Sequence, residues 1–169
     1  PDQVDSLGLK MMIEEGKNNS KFGTNFTVSI EARDGVTSGI SAFDRAHTIA
    51  AAINENVVPS DLVSPGHVFP LRGMAGGVLR RAGHTEAAVD LSRLAGLKPS
   101  GVICEIMNDD GSMARLPDLI ELSRKKGLSI ITIKDLIAYR MVHEGLIERL
   151  EEAEITTNYG DFKTVLYRN

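Results

Sequence analysis

The sequence predicts an α/β (α+β) fold, a layered α-β-α domain in which helices cover a mixed, twisted sheet. Stretches of ten to thirteen residues with apolar side chains at helical spacing alternate with shorter apolar stretches typical of strands. In residues 26–31 apolar and polar side chains alternate, which is typical of a strand with one buried face. Because such a strand has a second, wetter face, we expect a mixed sheet rather than a fully buried parallel one.

In the first half of the chain, Ser41 stands three residues before Asp44, a spacing that resembles a capping box and predicts a helix through Ile53. Side chains such as Asn and Ser are dense between the periodic stretches and mark loops. The other elements predicted here are a short helix within residues 2–13, a polar loop over 14–20, a strand over 26–31 and a strand over 67–71.

The second half predicts three helices, of which two end at a glycine. They cover residues 85–95, 117–126 and a long segment capped by Thr132 with Asp135. An apolar run at 101–107 is suited to a buried strand, a turn follows at 108–111, and 129–133 is predicted to be a strand. From about residue 147 we expect an acidic helix end over 148–154 and exposed strand segments over 155–167.

Composition excludes several classes of function. The net charge of −4, with no Trp and no basic stripe, disfavours a nucleic-acid partner. No apolar run approaches the roughly 20 residues that cross a bilayer, so no membrane partner is expected. The single Cys104 cannot form an intrachain disulfide or a cysteine-only metal site, which favours a reducing, cytoplasmic location.

Three features carry candidate chemistry. His67 lies between a Pro-Gly turn and an apolar stretch, and residues 80–86 place two arginines at a predicted helix start. A helix N-terminus attracts anions such as phosphate, and the arginine fork matches phosphate oxygens. Glu105 lies inside the apolar run, where a carboxylate needs a partner or a cation. Together these features indicate a phosphosugar site with a divalent metal.

Each feature also has a simpler interpretation. His67 is explained by a hydrogen bond to the backbone of its turn, and Glu105 by a position at a strand end in solvent. Residues 83–86 are explained as an ordinary helix start, Asp44 as a helix cap, and Cys104 as a small core residue. The chain has no P-loop, dinucleotide-binding, zinc-protease or serine-hydrolase signature that would favour another enzyme class.

Five sequence strings, in this order, resemble the 3,4-dihydroxy-2-butanone 4-phosphate synthase family. They are SPGHVFPLR at 64–72, GGVLRRAGHTEA at 76–87, GVICE at 101–105, GSMAR at 111–115 and DLIAYR at 135–140. The resemblance runs from roughly residue 5 to 144. It implies a lyase, dependent on Mg²⁺ (or Mn²⁺), that converts D-ribulose 5-phosphate to 3,4-dihydroxy-2-butanone 4-phosphate and formate in riboflavin biosynthesis. It also implies a homodimer.

The resemblance carries roles to individual positions. His67 and Glu105 match the two positions that are essential for catalysis in the family, and His84 matches its metal ligand. Asp44, Arg45 and the Thr37-Ser38 pair lie in another similar segment and receive supporting roles. The substrate-binding positions are Arg81, Ala82, Gly83, His84, Thr85 and Glu105. We therefore expect His84 and Glu105 to converge on one pocket, with His67 beside them.

The chain departs from the family at its N-terminus. Family members carry an acidic loop, Asp-Asp-Glu-Asp-Arg-Glu-Asn-Glu-Gly-Asp, that supplies a further metal ligand, and nothing in this sequence matches it. The resemblance therefore implies an N-terminally truncated fold and a chain that is inactive without that loop. The alternative is a catalytically incomplete phosphosugar-binding or dimerisation module.

The tail resembles a junction between two enzymes. The string AEITTNYGDF at 153–162 is similar to the start of GTP cyclohydrolase II in bifunctional riboflavin proteins. We therefore expect a synthase domain over residues 1–146 and a linker with the start of a second domain over 147–169. One cysteine cannot build the zinc site of a cyclohydrolase, so that activity is not expected of this chain.

Overall fold

Helices and antiparallel strand pairs make up the chain in a computed structural model, which describes residues 1–14, 16–145 and 147–168. The chain divides into two units, Pro1–Ile130 and Ile131–Asn169. The elements of the first unit are α1 (Asp2–Ser6), β1 (Ile30–Ala32), α2 (Ala42–Ala52), β2 (Leu62–Val68), α3 (His84–Leu94) and α4 (Leu116–Lys126). Short 3₁₀ turns lie at Pro59–Asp61 and Gly77–Leu79. The second unit contains α5 (Ile133–His143), β3 (Glu148–Thr157) and β4 (Gly160–Arg168).

The core of the first unit lies under the β1–β2 pair. Leu7, Ile30 and Leu62 are buried together, and α2 contacts both strands. The hydroxyl of the buried Thr48 on α2 accepts a hydrogen bond from the Ala32 N–H at 3.1 Å, so a side chain satisfies a backbone donor that would otherwise be buried and unpaired. The helix is thus fixed on the strand pair by apolar packing and by one directed bond.

The predicted starts of α2 and α5 and the predicted end of α4 are confirmed. The Ser41 hydroxyl accepts a hydrogen bond from the Asp44 N–H at 3.0 Å, and the Thr132 hydroxyl accepts one from the Asp135 N–H at 3.1 Å. Gly127 ends α4 with a φ of 66°, in the left-handed region that favours glycine. The first helix is shorter than expected, since α1 ends at Ser6.

The α+β class is confirmed, but the expected mixed sheet is not formed by the described residues, whose two strand pairs are both antiparallel. The predicted strands at 101–107 and 129–133 are wrong. In the described part of the chain their one strand-like pairing is the isolated bridge between Met107 and Met113. Most of their apolar side chains are exposed, Val102 by 71%. Apolar character alone does not make a strand, because its backbone donors and acceptors need a neighbouring strand.

For residues 26–31, the prediction of which side chains are buried is wrong at the start of the segment. Thr27 is fully buried and Phe26 is exposed, the reverse of the expected order. Thr27 is held inside because its N–H and its hydroxyl both donate to the Pro70 carbonyl, at 3.0 and 3.2 Å. At Ile30 the burial agrees with the prediction, since this side chain is buried in β1.

The acidic segment over 148–154 is a strand, so the predicted helix end there is wrong, whereas the exposed strands over 155–167 are confirmed. The ladder register places Glu148 opposite Arg168 and Glu154 opposite Lys163. Opposite charges that face each other across an antiparallel pair stabilise it, and they favour the hairpin over a helix in which the acids would crowd one another.

Two further expectations concern the whole chain. None of the helices in the described ranges has the length and hydropathy of a membrane-spanning segment. The predicted domain boundary falls at residue 146, which lies outside the described residues, as do Glu15 of the predicted loop and Asn169 at the end of the tail. The division into domains therefore stays a prediction.

Candidate functional site

His67 is paired with a carboxylate that the sequence did not single out. The Nδ1 atom of His67 lies 3.0 Å from Oε2 and 3.3 Å from Oε1 of Glu31. The His67 side chain is 40% exposed and that of Glu31 is 13% exposed. The imidazole therefore faces solvent with the carboxylate behind it.

An irregular register between β1 and β2 presents His67. Ile30 is paired with Val68, but the next residue, Glu31, is paired with Val63. Residues 64–67 of β2 therefore bulge out of the ladder between these two pairs. Within these four residues, the Gly66 N–H donates to the Ser29 hydroxyl at 3.1 Å. A Cβ at Gly66 would overlap the Ile30 carbonyl, so only glycine permits this close approach of the two backbones.

The loop before α2 is held by Asp44. Its carboxylate accepts hydrogen bonds from the Thr37 hydroxyl at 2.9 Å, the Thr37 N–H at 3.3 Å and the Gly39 N–H at 3.0 Å. The hydrogen bond from the Thr37 hydroxyl is the main cause that lowers the pKa of Asp44, and the backbone donors of Thr37 and Gly39 and the Ser41 side chain add to it. Asp44 therefore has more than the capping role predicted for it, because it fixes the loop through Gly39, whose backbone lies against the Glu31 carboxylate.

An ion pair between the half-buried Arg81 and the buried Glu86 links the glycine-rich segment, residues 73–83, to α3. Glu86 is 1% exposed and accepts hydrogen bonds from Arg81 Nη1 at 2.6 Å and from the Met74 N–H at 3.0 Å. The Nη2 atom of Arg81 donates to the Phe22 carbonyl at 2.9 Å. A buried carboxylate is tolerable when charge and donors are supplied in this way. Arg81 therefore connects residue 22 to α3.

A second carboxylate of α3, one turn further along, holds the same segment. Asp90 is buried and accepts a hydrogen bond from the Val78 N–H at 2.8 Å. A Cβ at Gly77 would overlap the Asp90 carboxylate, and the φ of 62° at Gly77 is also unfavourable for other residues. Both the contact and the backbone conformation therefore require glycine at this position. The glycine-rich segment is thus fixed by side chains of α3.

The start of α3 lies inside the predicted segment 80–86, one residue before the predicted start at 85. His84 is its first residue and is exposed, Thr85 follows half-buried, and Gly83 is the N-cap. Ala82 is exposed beside them. The Gly83 N–H donates to the Arg81 carbonyl at 2.8 Å. The N–H groups of His84 and Thr85, in the first helical turn, have no acceptor within the helix and are donors suited to a phosphate.

Glu105 lies in an extended segment without regular structure and is exposed. The start of this segment crosses α3, because the Ser92 hydroxyl donates to the Ser100 carbonyl at 2.7 Å and a Cβ at Gly101 would lie 3.0 Å from the Ala88 Cβ. Ala88 is one helical turn from His84, and Glu105 is four residues from Gly101. The segment that carries Glu105 therefore begins near the helix that carries His84.

The side chains of His67, His84 and Glu105 are not joined by the hydrogen bonds of the described residues, so their convergence on one pocket stays a prediction. Among the residues described, no group of three or more His, Cys, Asp or Glu side chains is placed to hold a metal ion. A hollow of about 590 Å³ lies elsewhere in the first unit, beside Met12, Thr24, Phe26, Arg72 and Met74, and its lining includes none of the predicted site residues.

Sequence reasoning missed Glu31, Glu86 and Asp90. A signal was present for the last two, since they stand four residues apart on one face of a predicted helix that follows a glycine-rich segment. Glu31 gave no such signal, because the strand alternation placed it on the solvent side. Its partner, His67, is distant in sequence.

The fold and the site define an α+β protein with an exposed histidine and an exposed helix N-terminus. The glycine-containing loops near them donate backbone hydrogen bonds to buried carboxylates. A family model described as 3,4-dihydroxy-2-butanone 4-phosphate synthase matches residues 1–139. The chain belongs to the 3,4-dihydroxy-2-butanone 4-phosphate synthase family.

Two curated relatives are similar over nearly the whole chain. The 3,4-dihydroxy-2-butanone 4-phosphate synthase of Pseudomonas aeruginosa is 55% identical over 168 residues, which are 99% of this chain and 46% of the relative. Riboflavin biosynthesis protein RibBA of Synechocystis is 57% identical over 170 residues, which are 99% of this chain and 30% of the relative. The chain thus spans less than half the length of each.

Solved structures agree with the family. A two-domain 3,4-dihydroxy-2-butanone 4-phosphate synthase from A. baumannii has a TM-score of 0.86 at 48% identity, with 99% of this chain and 48% of that chain covered. A synthase in complex with two magnesium ions has a TM-score of 0.75 at 38% identity, with 86% and 72% covered.

Proposed function

We propose that this chain carries part of a lyase site that converts D-ribulose 5-phosphate to 3,4-dihydroxy-2-butanone 4-phosphate and formate, a step of riboflavin biosynthesis. The observation that carries the proposal is the 55% identity over 168 residues to a relative named as this synthase. Residues 64–72 and 76–87, which hold His67 and His84, lie inside the matched region.

In this proposal His67 moves protons on the sugar. Its ring is exposed and is held by Glu31 at 3.0 Å, so it can accept a proton from a carbon beside the carbonyl and return it to another atom of the substrate. Glu105, which is also exposed, is the second proton-transfer group. General acid–base catalysis by a positioned side chain contributes about 10² to 10⁴-fold to a rate.

The phosphate of the substrate is assigned to the start of α3. The N–H groups of His84 and Thr85 and the positive end of the helix dipole favour an anion there. Arg81 keeps its guanidinium beside this helix start, next to Gly83, through its pair with Glu86. We assign Arg81, Ala82, Gly83, His84 and Thr85 to substrate binding on this basis.

A divalent ion, Mg²⁺ or Mn²⁺, is part of the proposal, with His84 as one ligand. Magnesium prefers oxygen ligands in octahedral geometry, and the described residues supply no group of three ligands. The described donor set therefore does not fit a complete magnesium site, and the proposal routes no step through the metal.

The alternative function is a phosphosugar-binding or dimerisation module without turnover. The absence of a three-ligand metal group among the described residues favours it. The exposed helix start of α3 would still bind a phosphosugar in such a module.

A cytoplasmic location and a second domain after residue 147 also belong to the proposal. Cys104 is a free, exposed thiol, which suits a reducing compartment. Similarity over the tail does not distinguish a fused protein, because the relative named RibBA and the one named only as the synthase both cover 99% of this chain.

The test is formate release from D-ribulose 5-phosphate, with and without Mg²⁺, by this chain and by the chain extended with the family's acidic loop. We expect little or no turnover by the chain alone and magnesium-dependent turnover by the extended protein. In the extended protein, His67→Ala, His84→Ala and Glu105→Ala should each lower kcat by about 100-fold or more. His143→Ala, which removes a histidine of α5, is the matched control and should keep most of the activity.

An inactive extended protein that still binds the phosphosugar would favour the module. Full activity in all three alanine variants would contradict the assigned site.

A further inference from the structure

We propose that Glu31 is a positioning residue for His67. Its carboxylate fixes which imidazole nitrogen carries the proton and holds the ring toward the substrate. The inference rests on the proposed function, in which His67 transfers protons, and it assigns a role to a residue for which the family resemblance gives none.

The contact has the geometry of a directed hydrogen bond. Both carboxylate oxygens lie within hydrogen-bond reach of Nδ1, with Oε2 at 3.0 Å and Oε1 at 3.3 Å. Glu31 is the less exposed partner, at 13% against 40% for His67. An exposed ion pair contributes little, whereas a carboxylate shielded on its outer side by the ring makes a stronger and more persistent contact.

The Glu31 carboxylate is itself confined from the other side. A Cβ at Gly39 would overlap all three atoms of the carboxyl group, so the loop passes directly against it. Gly39 has a φ of 79°, and its N–H donates to Asp44 at 3.0 Å. The loop that touches Glu31 is therefore fixed by a buried carboxylate of α2, and Glu31 has little room to move away from His67.

This arrangement determines the tautomer of the neutral ring. A carboxylate can only accept, so Nδ1 is the nitrogen that carries the hydrogen. The lone pair is then on Nε2, the nitrogen away from Glu31, which is able to take a proton. When a proton leaves a sugar carbon beside the carbonyl, it bonds to Nε2, and the electron pair of the broken C–H bond passes into the enediolate. Nδ1 keeps its own hydrogen, and Glu31 stabilises the positive charge of the imidazolium.

The tautomer can be measured without any substrate. The probe is the ¹⁵N chemical shifts of the His67 ring in long-range ¹H–¹⁵N NMR spectra of the full chain, at alkaline pH where imidazole is neutral. We expect the wild-type ring to carry its hydrogen on Nδ1. In Glu31→Gln the amide can donate as well as accept, so a substantial Nε2–H population should appear. Glu31→Asp keeps the charge on a shorter side chain and should retain the wild-type tautomer in part.

The matched control is Glu55→Gln, which makes the same chemical change at an exposed position after α2. It should leave both the His67 shifts and the kinetics as they are in the wild type. The His67 resonances are identified by their loss in His67→Ala.

The kinetic measurement uses the extended protein and formate release. Removing the partner that orients a metal-bound histidine typically costs about 10- to 100-fold, and we take the same range for Glu31. We expect Glu31→Gln to lower kcat by that factor with KM changed less than about threefold, and Glu31→Asp to recover part of the loss. A merely structural role would leave the tautomer unchanged.

Two results would overturn the inference. One is a wild-type ring that carries its hydrogen on Nε2, or a tautomer ratio that Glu31→Gln does not alter. The other is an altered tautomer with an unaltered kcat. Failure of the extended wild-type protein to release formate would instead count against the proposed function, and the ligand-free spectra would still decide the contact between Glu31 and His67.

Discussion

Buried carboxylates organise the loops around the candidate site. Asp44, Glu86 and Asp90 are each almost inaccessible, and each accepts hydrogen bonds from backbone N–H groups of a loop that contains glycine. Glycine lets a backbone approach a carboxylate closely, and the carboxylate satisfies donors that no strand ladder reaches. The loops are therefore ordered by single side chains, and single substitutions should loosen them.

Glu86 gives the sharpest stability prediction. Glu86→Ala leaves the Met74 N–H and the Arg81 guanidinium without their buried acceptor, so we expect a loss of about 1–3 kcal/mol in the free energy of unfolding. Urea unfolding followed by circular dichroism measures it. Glu121→Ala on the exposed face of α4 is the control and should stay within about 0.5 kcal/mol of the wild type. Equal stability of the two variants would contradict the buried pair.

Asp44 gives a pH prediction. Hydrogen bonds, that from the Thr37 hydroxyl first, hold the pKa of Asp44 below the ordinary value of 3.8. The ionised form therefore favours the folded state, and its contribution is complete above pH 3.8 and is lost as the pH falls through the lower pKa of the folded protein. At pH 7 the wild type should have a higher melting temperature than Asp44→Asn, and this difference in melting temperature should shrink toward zero as the pH approaches 2.

The comparison is made by thermal melts of the two proteins over that pH range, so that the titration of all other groups cancels in the difference. Asp109→Asn, at an exposed turn position, serves as the control and should show no such shrinking difference. A melting-temperature difference for Asp44→Asn that stays constant with pH would show that the charge of Asp44 contributes nothing.

At the scale of elements, helices follow local rules in this chain. The end of α4 at Gly127 is an example. Its φ of 66° is strained for any residue with a Cβ, whereas glycine adopts it without strain. Gly127→Ala should therefore lower the free energy of unfolding by about 1 kcal/mol. Gly145→Ala is the control, since Gly145 has open space around its Cα and no positive φ. A urea midpoint that is equally unchanged in both variants would contradict the assigned end of α4.

Strands depend on partners that local rules do not supply. The apolar run at 101–107 and the β3 segment show the contrast. The first has strong strand character and no ladder, whereas the second is acidic and pairs along its length because the complementary charges of β4 face it. A pattern can identify a side chain's preference for burial, but it cannot identify the neighbour that completes the backbone hydrogen bonds.

At the scale of the whole molecule, exposed apolar side chains favour self-association. Val102, Ile103, Ile106 and Met107 follow one another in the segment of Glu105, and all are exposed. Exposed apolar side chains gathered in one segment are typical of an interaction surface. We therefore predict that the chain is a homodimer, which light scattering at micromolar concentration checks. Val102→Lys with Ile106→Lys should shift the mass toward the monomer, and Val28→Thr is not expected to do so. A wild type that is monomeric throughout would contradict the prediction.

The sequence by itself determined four of the five helices, the caps of α2 and α5, and the motifs of the family. These depend on residues within four positions of one another or on strings that can be matched along the chain, as with Ser41 and Asp44 or residues 64–72. The three residues assigned to chemistry, His67, His84 and Glu105, came from the same strings.

Only the tertiary structure decided which side chains meet. Glu31 and His67 stand 36 positions apart, and their contact depends on a register step between two strands that no local pattern predicts. The pairing of β3 with β4 and the lack of a ladder at 101–107 have the same origin. Hydrogen bonding between strands and the burial of charge are properties of neighbours in space, and a sequence orders its residues only along the chain.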